Sequence, residues 1–333
     1  MRGQRTSILV TAAGAEGTPG KILNLRDGGY RVVAVDTDPN ASGLYLADAA
    51  YTVPPGSDPA FVPELRRICT TEDVRAAVPL VDEELVPIWE LDRNGVQILL
   101  PRAELVDLCL DKLALNRRLA EAGLPVPPAR PADEGPAGLA YPIIVKPRTG
   151  RGSRGIHVVH DPEGLDRALQ AAPRPPERTL LQRYVDGPEF SVSVVLWRDG
   201  EVQAVVPKQV VHKAGSSRFA VSRRNEGITK ACHGIARVLG ADGPFNVQLR
   251  LDASGTPQVF EINPRFSGSA TLTAAAGLDE LTGLVGQALG PAGGGRLRDE
   301  WSEGVAMIRH ATETFVPEAR FAEERRTATT GER

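Results

Sequence analysis

Residues 245–269 read FNVQLRLDASGTPQVFEINPRFSGS. Two runs, FNVQLRLD (245–252) and QVFEINP (258–264), flank the Gly-containing turn ASGT, a pattern that predicts a β-hairpin. Pairing Asp252 with Pro257 sets Gln248 opposite Glu261 and Asn246 opposite Asn263. Side chains alternate across a strand, so these four polar groups share one face. Phe245, Val247 and Leu249 then take the core face with Phe260 and Ile262. A carboxylate and three amides on one face of an otherwise apolar hairpin suggest a site, with a solvated face as the plain alternative. Oxygen donors on adjacent strands suit a hard cation, and magnesium usually takes one or two protein carboxylates plus phosphate oxygens. Arg265 follows at once, a cation able to neutralise charge on a phosphoryl group in transfer.

Two further stretches belong with this hairpin. Lys146 ends the strand-like run YPIIVKP (141–147) and precedes TGRGSRG (149–155). Glycines at 150, 152 and 155 let backbone N–H groups approach an anion, with Arg148, Arg151 and Arg154 adding charge. By itself such a loop is as easily a flexible turn. LLQRYVDGPEF (180–190) is an apolar stretch and a bend, then Glu189 entering a hairpin. A carboxylate there can hold two ribose hydroxyls, although a surface glutamate after a turn is the commoner reading.

In this order and spacing, over about residues 105–275, the motifs resemble the ATP-grasp superfamily. The likeness is strongest to the synthetase repeats of carbamoyl phosphate synthetase large subunits and related amino-acid ligases. The resemblance implies ATP and magnesium, two ions with manganese able to substitute. It implies Lys112 as a phosphate contact and Lys146 as the strand lysine that meets phosphates and base. The loop carrying Gly150, Gly152, Ser153 and Gly155 would close over the triphosphate. Residues Gln182, Arg183, Tyr184 and Val185 would form the hinge whose backbone, at 183 and 185, meets adenine. Arg183 stands where this family often has an acid, which puts base selectivity in question. Glu189 matches the ribose ligand, Gln248, Glu261 and Asn263 the magnesium ligands, and Arg265 the arginine facing the γ-phosphate. Lys208 and His212, in the basic stretch 207–224, are candidates for phosphate or an incoming carboxylate, with a solvated loop as the alternative for His212.

The implied fold is α/β: a parallel-sheet pre-ATP-grasp domain over 1–104, then an ATP-grasp domain over 105–315 with a lid at about 125–187. A frayed tail would follow from 316. The first hundred residues fit βαβ units, with SILVTAA (7–13), RVVAVD (31–36), AAVPLV (76–81) and VQILL (96–100) as strands. A helical pattern including Ile22, Leu23 and Leu25 lies between the first two. A helix is expected at 111–122, capped by Asp111 and ended by Gly123. VSVVLWRDGEVQAVV (192–206) reads as a hairpin around Asp199-Gly200, with Arg198 facing Glu201.

GAEGTPGK (14–21) is a decoy. It lacks the spacing of a P-loop, and as a dinucleotide fingerprint it reads GxxGxxG, leaving Asp36 as a nominal ribose acid. Among 333 residues, 39 Lys plus Arg against 42 Asp plus Glu leave a net charge of −3, which argues against a nucleic-acid binder. Cys69, Cys109 and Cys232 have neither disulfide nor zinc spacing and read as core in a reduced, cytoplasmic chain. No run of 18 apolar residues suggests a membrane span, and a homodimer is the expected assembly.

The expected activity is that of an ATP-dependent carboxylate–amine ligase. It activates a small carboxylic acid, an amino acid being favoured, as an acyl phosphate and joins it to an amine, releasing ADP and phosphate. Two alternatives stay open: the same chemistry on bicarbonate or carbamate, and nucleotide binding without turnover. An NAD-linked oxidoreductase rests only on the Gly14–Asp36 region.

Overall fold

A computed structural model describes residues 5–172, 174–290 and 294–320. Chain contacts divide the described residues into two units, one drawn from those up to 103, within 268–301 and from 309 on, the other from 104–267 and 302–308. The tail expected from 316 lies outside the described residues beyond Arg320.

The first unit begins β1 (Ser7–Val10), α1 (Thr18–Asp27), β2 (Arg31–Asp36), β3 (Ala49–Thr52), α2 (Phe61–Thr71), β4 (Val74–Val78) and β5 (Gln97–Ile98). Its strands pair in parallel in the order β3-β2-β1-β4-β5. The expected parallel sheet is present; β2 spans the run read at 31–36, β1, β4 and β5 are shorter than their apolar runs, and there is one more strand. β3, AAYT, is half-buried at the sheet edge and offers no long apolar run to read. In α1 the buried positions are Thr18, Lys21, Ile22 and Leu25, one stripe of an α-helix, and Leu23 faces outward. Asp36 accepts a hydrogen bond from the Gly14 N–H at 2.7 Å and so pins the turn after β1.

The second unit continues with α3 (Ala103–Leu110), α4 (Lys112–Glu121), β6 (Ala129–Pro131), β7 (Ile143–Pro147), β8 (His157–Val159), α5 (Pro162–Gln170) and β9 (Thr179–Arg183). Then follow β10 (Glu189–Val195), β11 (Ala204–Ala214), β12 (Ser216–Ser222), α6 (Glu226–Leu239), β13 (Phe245–Leu251) and β14 (Pro257–Asn263). Next, α7 (Ala270–Ala275) and α8 (Glu280–Ala288) return to the first unit and pack on α1, and β15 (Ala306–Ile308) closes the second. A small sheet runs β6-β9-β7-β8, and a large one β14-β13-β10-β11-β12-β15. The small sheet lies within 129–183 and has its own core of Ile143, Val145, Val159, Leu165, Ala168 and Leu181. Asp111 caps α4 by accepting from the Leu113 and Ala114 N–H groups, and Gly123 takes φ +74° beyond its end.

The large sheet is two-faced. Phe190, Val192 and Val194 of β10, Phe245, Val247 and Leu249 of β13, and Val259 and Ile262 of β14 pack on Ile228, Cys232, Ile235 and Leu239 of α6. The three cysteines are buried, and burial pushes the Cys69 and Cys109 thiols up to about 12. The β10–β11 connection departs from a two-residue turn. The strands stop at Val195 and Ala204, and Arg198, not Asp199, shares positive φ with Gly200. The Arg198 guanidinium stacks on Trp197 and lies 3.8 Å from Asp242.

Candidate active site

The β13–β14 hairpin pairs Asn246 with Asn263, Val247 with Ile262 and Gln248 with Glu261, as the sequence register predicts at this end. Nearer the turn the register slips by one residue, with Leu251 rather than Asp252 opposite Pro257. Asp252 instead gathers the turn, accepting from Ser254, Thr256 and Gln258. The slip leaves Phe260 as a bulge. Val259 takes the core place expected for Phe260, whose carbonyl and ring both meet Lys146.

On the polar face, Glu261, Gln248, Ser191, Lys208 and Ser222 oppose one another across five strands. Asn263, Asn246 and Ser193 form the next row, and Arg250 and Glu189 face each other on the opposite flank. Ser191 donates to the Asn246 Oδ1 at 2.8 Å and meets Ser267 at 3.3 Å. The Lys208 Nζ is fully buried and donates to the Ser193 Oγ at 2.7 Å.

Two lysines converge on this face. Lys146, 3% exposed on β7, donates from Nζ to the Phe260 carbonyl at 3.2 Å. Lys112, at the start of α4, lies 3.4 Å from the Glu261 carboxylate and donates to the Gly150 carbonyl at 2.6 Å. The Gly-rich loop is thereby tied at its base to α4, and Arg148 and Asp111 form an ion pair there. Beyond it Gly150, Gly152, Ser153 and Gly155 all take positive φ, and the loop from Gly150 is largely exposed. The Lys146 ammonium is lowered to about 8, chiefly by burial, which Glu261 opposes and the nearby Lys112 and Lys213 charges reinforce.

The metal reading rests on the donor set. Glu261, Gln248 and Asn263 offer hard oxygens from neighbouring strands, the chemistry magnesium favours. The Asn263 amide is buried. Arg265 donates to its Oδ1 at 3.3 Å, while its Nδ2 has no partner. Rotation of such an amide exchanges O for N, so the position can present an oxygen inward. Among the described residues no three His, Cys, Asp or Glu side chains group as metal ligands, so any ion here would rely on the single Glu261 carboxylate, amides and substrate oxygens.

At the hinge, the Arg183 N–H is spent on the Pro128 carbonyl at 2.9 Å and the Tyr184 N–H on that of Pro142 at 3.0 Å. The N–H of residue 183 is therefore not open to a base. Gln182 is buried with its Oε1 unpartnered. Val185 is buried too. Glu189 is doubly paired, with Lys213 at 2.8 Å on Oε1 and Arg250 at 2.9 Å on Oε2. His212 is exposed on β11 with its ring 5.8 Å from that of Phe219. Gly187 holds the bend before Glu189 against β13. Its φ is +143°, and a Cβ would lie 2.0 Å from the Leu251 carbonyl oxygen. Gly187→Ala is expected to cost at least about 3 kcal/mol, from backbone strain plus the clash. A lowered urea midpoint at unchanged slope checks it.

Comparison with known proteins agrees with this architecture. Residues 176–309 match a family model described as ATP-grasp in the biosynthetic pathway with Ter operon, and residues 8–98 match the PylC-like N-terminal domain. A carbamoyl-phosphate synthase from Methanobrevibacter smithii is 23% identical over 294 residues, covering 80% of this chain and 76% of that protein. The L-amino acid ligase of Bacillus licheniformis superposes with a TM-score of 0.69 at 20% identity, over 86% of this chain and 75% of that one. The biotin carboxylase domain dimer of Hydrogenobacter thermophilus 2-oxoglutarate carboxylase, in complex with MgADP, ADP and bicarbonate, gives 0.69 at 19%, over 88% and 70%. The chain thus shows an ATP-grasp match that follows a PylC-like N-terminal match, and the proteins it is similar to include a carbamoyl-phosphate synthase and an L-amino acid ligase.

Proposed function

We propose that this chain is an ATP-dependent carboxylate–amine ligase working through an acyl phosphate, with a small carboxylic acid, best an amino acid, as the activated partner. The observation that carries the reading is the convergence of buried Lys146 and Lys112 on the Glu261 edge of a polar sheet face, with Arg265 beside it. A carboxylate is a poor electrophile because its charge repels an amine and oxide is a very poor leaving group. Phosphorylation solves both problems. A carboxylate oxygen attacks the γ-phosphorus, the bond to the β-phosphate oxygen breaks, and ADP leaves. The amine then attacks the acyl carbon, inorganic phosphate departs, and the amine's surplus proton passes to phosphate or solvent.

Phosphoryl transfer asks mainly for positioning and charge neutralisation. In this reading Lys146 and Lys112 hold phosphate oxygens, Arg265 faces the γ-phosphate, Lys208 takes phosphate or the incoming carboxylate, and Glu189 takes the ribose. Glu261, Gln248 and Asn263 would hold magnesium, which supplies Lewis-acid charge to the phosphates when bound. The loop over 149–155 would fold over the triphosphate and keep water from the acyl phosphate. Bicarbonate as the carboxylate is the second reading, favoured by the carbamoyl-phosphate synthase and bicarbonate-bound relatives.

The test is one pooled incubation of purified protein with magnesium, ATP, amino acids, common carboxylic acids and bicarbonate, read by mass spectrometry. A product equal to two inputs minus water, appearing with ADP and phosphate, is the expected result and names both substrates. ADP that depends on bicarbonate moves the second reading ahead. AMP with pyrophosphate overturns the acyl-phosphate mechanism.

A further inference from the structure

Arg250 lies next to the nucleotide residues yet has no part in the scheme above. It follows Gln248 by two positions on β13, so both side chains share the polar face. Its guanidinium makes three bonds to one short segment. It donates to the Tyr184 hydroxyl at 3.2 Å, the Gly187 carbonyl at 3.3 Å and the Glu189 Oε2 at 2.9 Å, and it sits 5.3 Å from the Tyr184 ring centroid. These partners span residues 184–189, the bend between the hinge strand β9 and the carboxylate that opens β10. The same bend is held to β13 by the Leu251 N–H on the Pro188 carbonyl at 3.1 Å and by the close approach of Gly187. One planar cation thus ties the hinge tyrosine, the bend and Glu189 to a fixed strand, a task suited to the rigid fork of arginine and not to lysine.

We infer that Arg250 is the positioning residue for ribose recognition, fixing Glu189 so that its carboxylate takes the 2′- and 3′-hydroxyls together. This rests on Glu189 being the ribose ligand. Each carboxylate oxygen has two acceptor positions. Arg250 and Lys213 occupy one apiece, on different oxygens, which leaves one on each for a pair of adjacent hydroxyls. Without Arg250, the carboxylate keeps only Lys213 and can swing with it, and the spacing that matches a cis-diol is lost.

The experiment measures binding of ATP, 2′-deoxy-ATP, 3′-deoxy-ATP and inorganic tripolyphosphate to the full chain and to Arg250→Met and Arg250→Lys. The wild type is expected to bind ATP about tenfold or more tighter than either deoxy analogue, one charge-assisted hydrogen bond each. Arg250→Met should lose affinity for ATP but little for the deoxy analogues, so that the ratio falls toward one. Arg250→Lys, keeping the charge without the fork, should fall in between. Tripolyphosphate affinity should hold in both variants and shows that the phosphate end remains folded. An unchanged ATP-to-deoxy ratio in Arg250→Met overturns the inference. Wild-type protein that binds tripolyphosphate but does not distinguish ATP from its deoxy forms overturns the role of Glu189 instead. If it binds neither ATP nor tripolyphosphate, the nucleotide reading itself fails.

Discussion

Glu261→Gln is expected to lower turnover by about 10²–10³-fold, the cost of removing one preorganised charge from a phosphoryl-transfer site. Glu261 is the one carboxylate among the three metal-donor candidates, and it lies 3.4 Å from the Lys112 ammonium. The substitution keeps the shape and hydrogen-bonding capacity but deletes the charge that would hold a divalent ion. The ATP-binding surface of Lys146, Lys112 and the hinge stays in place. Nucleotide affinity without metal should therefore change little, while the metal concentration for half-maximal rate rises steeply. Chelating the metal from wild-type protein should reproduce the loss. Parallel kcat, magnesium-titration and nucleotide-binding measurements decide the matter. Full turnover in the variant would remove Glu261 from the mechanism. A wild-type chain that binds ATP tightly and never turns over would instead favour a nucleotide-responsive regulator.

The site's hairpin was legible because its information is local. Alternation alone sorts FNVQL and FEIN into two faces, and the observed pairs at 246/263 and 248/261 follow that sorting. The bulge at Phe260 was hidden because it depends on the turn, where Asp252 collects four hydrogen bonds and draws the pairing one residue inward. Lys146 lies 114 residues away in sequence, so its claim on the Phe260 carbonyl has no local trace. Ser191 and Ser193 were readable in principle. EFSVSVV alternates polar and apolar residues from Glu189, the same period-two signal as the hairpin. The run of valines draws attention to the strand and away from what its other face carries. The fully buried Lys208 is also invisible to composition, since a lysine in a basic stretch ordinarily reads as solvated. The return of residues 268–301 to the first unit is a tertiary fact of the same kind. Nothing in the helical patterns of α7 and α8 says which sheet they serve.

Lys146→Met is expected to stabilise the nucleotide-free protein and to abolish a proton uptake that accompanies ATP binding. Burial depresses this ammonium from its ordinary 10.5 to about 8. Below pH 8 both folded and unfolded chains carry the charge, and the fold bears the full cost of keeping it from water. Between about 8 and 10.5 the unfolded chain binds the proton more tightly, so stability rises with pH. Above 10.5 both forms are neutral and the cost is gone. The amplitude is about 3 kcal/mol, from 1.4 kcal/mol per pH unit across that window. The difference in unfolding free energy between Lys146→Met and wild type should therefore be greatest near neutrality and shrink as pH rises to 10.5, a comparison that cancels the other groups titrating there. Nucleotide reverses the balance. Phosphate oxygens beside Nζ favour the charged form, so ATP binding between pH 8 and 9 should draw a proton from solution, and affinity should decline as pH rises through about 8. Calorimetric titration of ATP in two buffers of different ionisation enthalpy measures that proton directly. A binding enthalpy independent of buffer in wild-type protein would mean that Lys146 does not meet the triphosphate. A buffer dependence that survives in Lys146→Met would assign the proton to another group. If it is lost in the variant together with about 100-fold or more in affinity, as expected for a desolvated charge–phosphate contact, the strand lysine is a principal phosphate contact of this site.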